Sequence, residues 1–139
     1  MRSNASIILL TVFVSVATAL VQAQRGHGMG MPNYDPKSET TVNGAVQQVQ
    51  QHQMMGHQGT HLIVKTESGE LEVHLGPASY LAQRQFSFTK GDQVEVTGSM
   101  VKMGGKDALL GRQVTKNGKT LVLRNAQGIP AWSGGPRPQ

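Results

Sequence analysis

The chain has 139 residues, no cysteine, and a net charge of +5 from 13 basic and 8 acidic side chains. The lack of cysteine excludes disulfide support, a thiol nucleophile and a lipid-modified cysteine. The dispersed, mildly basic charge does not by itself call for nucleic acid or an anionic membrane as partner.

Residues 1–23 read as a cleavable signal peptide. Arg2 supplies the positive start, and an apolar stretch over residues 7–20 is interrupted only by Thr11, Ser15 and Thr18. Val21 and Ala23 offer small residues for cleavage after Ala23. The apolar run falls short of the roughly 20 residues that span a bilayer. The expected product is therefore periplasmic or secreted, with no transmembrane segment after cleavage. Residues 24–39 are rich in glycine, methionine and polar groups, have no period, and are expected to form a flexible arm.

From residue 40 to 127 short strand-like runs alternate with turn signals. Val42, Val46 and Val49 around Gly44 predict a first strand with a bend or bulge. A polar, Met- and His-containing loop follows at residues 52–59. Next comes a hairpin about Ser68-Gly69, in which Leu62 and Val64 alternate with polar neighbours, as do Leu71, Val73 and Leu75. A two-residue Ser68-Gly69 turn sets Leu62 opposite Leu75, Val64 opposite Val73, and Lys65 opposite Glu72. The cross-strand charge pair supports that register. Residues 77–85 predict one short helix, with Pro77 in its first turn. Gly91-Asp92 launches a fourth strand through Val94 and Val96 with a bulge at Gly98, Gly104-Gly105 is a turn, and Asn117-Gly118 is a favoured type I′ hairpin pair. The last strands are expected over residues 108–115 and 120–124. Residues 128–139, rich in glycine and proline, read as a flexible tail, except that Trp132 is expected to pack back onto the domain.

Three strands, a short helix and two more strands is the chain order of the OB-fold, a small Greek-key β-barrel that leaves few exposed edges. The rival is an open β-sandwich, or a meander with a helix packed on it. Gly59-Thr60-His61-Leu62, Val73-His74-Leu75-Gly76-Pro77, the run from Gly91 to Gly98, and Leu121-Val122-Leu123-Arg124 together resemble small exported bacterial proteins with an OB-type barrel. These include stress-tolerance proteins and families without assigned function. The likeness covers about residues 40–126. It implies an OB barrel, export and a ligand- or partner-binding role, and it brings no catalytic residues.

All five histidines fall within the first 74 residues, in the company of methionine: His27-Gly28-Met29-Gly30-Met31 in the arm, and His52-Gln53-Met54-Met55-Gly56-His57 in the loop. Imidazole with thioether suits copper. The hairpin register places His61 and His74 on its outer, solvent-facing side as diagonal neighbours, about 7–8 Å apart. The candidate metal ligands are thus His57, His61 and His74, with Met54 or Met55. The plainer alternative is a solvated connector with no ligand, on a module that binds an envelope protein or serves stress tolerance. Nucleic acid is disfavoured, because the outer face offers His61, Ile63, Lys65, Glu72 and His74 without an aromatic ring for bases to stack on. There is no nucleophile elbow, no His-Glu-x-x-His and no phosphate-cradling glycine loop, so the protein is not expected to be an enzyme.

Overall fold

The structure, a computed structural model, describes residues 33–54 and 56–133. The expected signal peptide, the His27–Met31 segment, Met55 and residues 134–139 lie outside it. Six strands follow in order: β1 (Glu39–Met54), β2 (His57–Thr66), β3 (Gly69–Pro77), β4 (Gln93–Met103), β5 (Lys106–Lys116) and β6 (Lys119–Val122). One short helix, α1 (Ala78–Gln83), stands between β3 and β4. Among the described residues no helix is long and apolar enough to cross a membrane.

The strands run β3-β2-β1-β4-β5-β6, and β3 also pairs with β5. That last pairing is parallel, through Glu72–Ala108, Val73–Leu109 and His74–Leu110, and it closes five strands into a barrel. β5 pairs with β4 along one edge and divides the other: Ala108 to Leu110 face β3, while Gln113 to Lys116 carry β6. This is the OB arrangement that the chain order predicts, and it leaves no open sandwich. The interior is aliphatic: Val46, Leu62, Val64, Val73, Leu75, Val96, Leu109, Val114 and Leu123 are fully buried. Helix α1 plugs the barrel with Tyr80 and Leu81, and the Tyr80 hydroxyl donates to the Val122 carbonyl at 3.0 Å. Pro77 caps this helix from the strand side instead of lying within it.

Two glycines are required by what lies against them. Where β1 coils over β2, a Cβ on Gly44 would lie 2.3 Å from the Lys65 carbonyl oxygen. At the end of β3, Gly76 has φ 148°, and a Cβ there would sit 2.4 Å from the Trp132 ring. Trp132 does pack back, as expected: it also meets Tyr80, ring to ring at 5.3 Å.

Four sequence expectations are corrected. The hairpin turns at Glu67-Ser68, one residue early, with Gly69 opening β3 at φ 117°. Thr66 Oγ1 accepts from the Ser68 amide and donates to the Gly69 carbonyl, which stabilises that turn. Leu62 therefore faces Val73, Val64 faces Leu71 and Lys65 faces Glu70. The slip is two residues, so each side chain keeps its face. Second, residues 52–59 are not a loop. β1 and β2 continue as a paired ribbon to Met54–His57, and Gly56 turns at φ 84°. Third, the bulge in β1 falls between Val46 and Gln48. Fourth, the arm and tail are partly docked. The Asp35 amide donates to Ser99 Oγ at 3.0 Å, and Arg112 grips Glu39 at 2.9 and 2.7 Å. The Ala131 amide donates to the Leu123 carbonyl at 2.9 Å.

Candidate metal centre

The corrected register sets His61 directly opposite His74 on the outer face of β2 and β3. A bulge between Thr60 and His61 interrupts the ladder beside them. Their rings lie against each other, tilted by 34°, with centroids 3.6 Å apart. Glu72 lies two residues before His74 on the same face. Its Oε1 is 3.1 Å from His61 Nδ1, a hydrogen bond, and 2.9 Å from His74 Nε2. The second contact is off the line of an N–H bond, so the buried His74 Nε2 is left without a hydrogen-bond partner. The ligating atoms of these three residues lie within 4.8 Å of one another.

The expected solvent exposure of the two histidines does not hold. Each is only 8% exposed, although neither belongs to the aliphatic core. Burial is the main reason that both imidazoles are held below the ordinary histidine range, His61 to about 4. Neighbouring cations would add to that effect: His74 and His52 act on His61, and Arg124 acts on His74, while Glu72 opposes the shift at both. Arg124 is itself buried and held by carbonyls of Leu75 and Gly111, with its guanidinium 5.1 Å from the Trp132 ring. Two neutral imidazoles beside the Glu72 carboxyl can therefore act as donors, with the one proton of His61 moved to Nε2 from the Nδ1 that faces Glu72.

Donors on one ion at about 2.0–2.2 Å stand roughly 3.0–3.5 Å apart. The two separations to Glu72 are already close to that range, so a small spreading of the side chains would admit an ion. An unpartnered buried polar atom costs about 1–3 kcal/mol, and an ion would relieve it at His74 Nε2.

The structure gathers only part of the expected ligand set. His61 and His74 meet, and His52 joins them with its ring 4.6 Å from that of His61. His57 is exposed at the ribbon turn, four residues along β2, or about 13 Å by strand rise. Met54 is its register partner there. Glu72 was visible in sequence as a neighbour of His74 on the outer face, but pairing it with Lys65 hid its role. His52 stands in the His- and Met-rich segment, but a loop there gives it no contact with His61, and Arg124 carries no comparable signal in the sequence.

A family profile described as the MamS/MamX magnetosome protein family matches residues 38–121. No match is found among curated proteins. Two solved structures are similar to part of this chain. One is a chain of the complex of TiaS with a transfer RNA, AMPCPP and agmatine, with TM-score 0.44 and 20% identity, covering 56% of this chain and 18% of that one. The other is the N-terminal domain of PriB from Thermoanaerobacter tencongensis, with TM-score 0.44 and 13% identity, covering 58% of this chain and 96% of that one. The OB-type barrel implied by the earlier resemblance stands, while the family match says nothing of stress tolerance. The matched segment spans most of the barrel, including His61, Glu72 and His74, and this chain belongs to the MamS/MamX magnetosome protein family.

Proposed function

We propose that this protein is an exported, non-enzymatic binding module that holds one divalent transition-metal ion between His61, Glu72 and His74. The observation that carries the reading is the buried His74 Nε2, unpartnered and 2.9 Å from the carboxylate that also binds His61. The donor set shifts the expected metal. The copper expectation rests on imidazole together with thioether sulfur, which favours Cu(I), whereas this group is two imidazoles and a carboxylate. Such a set suits divalent first-row ions such as Fe(II), Zn(II) and Cu(II), with Cu(II) the tightest in the usual order of affinities. Hard ions such as Mg(II) and Ca(II) prefer all-oxygen cages and should not compete.

The barrel supplies the rigidity. His61 and His74 sit on paired strands, and β3 is also tied to β5, so the donors are fixed by three neighbouring strands. The same outer face carries oligonucleotides in many OB barrels. Here its imidazoles and carboxylate replace the stacking aromatics that such ligands need.

The test is anaerobic titration of the untagged protein with Fe(II), Zn(II), Cu(II) and Mg(II), followed by imidazole NMR and native mass spectrometry. One ion bound per chain, with the His61 and His74 ring signals moving together, is the expected result. Saturating Zn(II) or Fe(II) that leaves both rings unmoved would end the proposal.

A further inference from the structure

The register of β1 and β2 orders the remaining histidines. Met54 pairs with His57, His52 with Gly59, and Gln50 with His61. Paired residues of an antiparallel ribbon share a face, and every second residue along a strand returns to it. His57, His52 and His61 therefore belong to one face of the ribbon, and His74 extends that face onto β3 through its pairing with His61. Exposure falls along this line: His57 and His52 are open to water, while His61 and His74 are 8% exposed.

The spacing is short where it matters. Ring centroids are 4.6 Å apart from His52 to His61, and 3.6 Å from His61 to His74. The position across from His52 is Gly59, whose missing side chain leaves that stretch of the face clear. Gln50 Oε1 lies 3.1 Å from His52 Nε2 and steadies the ring beside the buried pair. No other described histidine combines exposure with contact to this group.

We propose that His52 is the exchangeable fourth ligand of the ion, so that the ribbon face forms its path between water and the His61–Glu72–His74 group, in which both imidazoles are buried and Glu72 is partly exposed. This inference rests on the metal-binding reading above. The step is ligand exchange without redox: a hydrated divalent ion forms a bond to the His52 imidazole and loses a water. It then forms bonds to His61, Glu72 and His74 and loses further waters. The ion keeps its charge of two, and each bond to the protein replaces one to water. A ligand that water can reach gives the ion a first imidazole to bind and a last one to leave, beside two that are buried.

The experiment uses the full chain and Zn(II) released from a chromophoric chelator, with both loading rate and equilibrium affinity measured. In H52A, saturation stays at one ion per chain, while loading slows and affinity falls, each by about tenfold. H52E supplies an oxygen donor at the same place and recovers part of both losses. H61A and H74A instead abolish the stoichiometric site. If H52A loads and holds Zn(II) like the wild type while H61A and H74A lose it, the path through His52 is wrong and the buried site survives. If the wild type binds no Zn(II), or H61A and H74A bind it normally, both readings fall. His52 is exposed, so H52A is expected to fold, and an unchanged thermal midpoint without metal checks that.

Discussion

On the inner face of the β2–β3 hairpin, Leu62, Val64, Val73 and Leu75 are wholly withdrawn from water. On the outer face His61 and His74 are nearly as withdrawn, each 8% exposed. Equal burial has opposite physical meaning on the two sides. Apolar side chains gain about 25 cal/mol for each Å² removed from water. Imidazoles gain little and must find partners, and one nitrogen here has none. The inner face accounts for the barrel. The outer face is a cost the barrel carries, which is the pattern expected of a binding site and not of a second core.

Substitutions on the two sides should therefore separate cleanly. The largest effect is expected from Leu62→Ala, which empties a fully buried position and should destabilise the fold by about 2–5 kcal/mol in urea unfolding. A loss below about 1 kcal/mol would mean the interior is looser than described. Gly76→Ala comes next, since it forces a Cβ into Trp132 and a left-handed backbone at once; roughly 1–3 kcal/mol is expected by the same measurement.

Acid probes the outer face. Folded His61 takes up its proton near 4, whereas the free side chain does so near 6.5. Between those values the unfolded chain binds more protons, so stability is complete above about 6.5 and drains as pH falls toward 4. Urea midpoints at several pH values should show that slope, and H61V/H74L should flatten it. The smallest effect is the sharpest contrast. In metal-free protein at neutral pH, H61V/H74L should change stability by less than about 1 kcal/mol, or raise it, because two poorly satisfied buried imidazoles leave together while Glu72, 37% exposed, keeps its access to water. A large destabilisation would make the pair structural and erase the distinction between the faces.

Much of the barrel was legible because its signals are local. Asn117-Gly118 takes positive φ at both positions, 51° and 75°, as a type I′ pair must. The bulge at Gly98 falls where the lone strand glycine marked it. Alternation survived even a misplaced turn, since a two-residue slip preserves faces. What local pattern could not supply was distance. The same slip turned a diagonal His61–His74 relation into a direct one and exchanged Glu72 for Glu70 beside Lys65. The ribbon over residues 51–60 was hidden because glutamine, histidine and glycine have weak strand preference, and its pairing is decided by the strands that feed it. Glu72 and His52 touch the outer histidines through pairings between strands, which no single strand encodes.

Trp132 lies over Gly76, two residues along β3 from His74, with the Arg124 guanidinium 5.1 Å from its ring. It is the only tryptophan in the chain. The molecule thus carries an intrinsic fluorophore next to the strand that bears two of the three donors. Paramagnetic Cu(II) seated there would darken the emission, whereas Zn(II) would leave it bright, so unlabelled protein in a cuvette can report which ion has arrived.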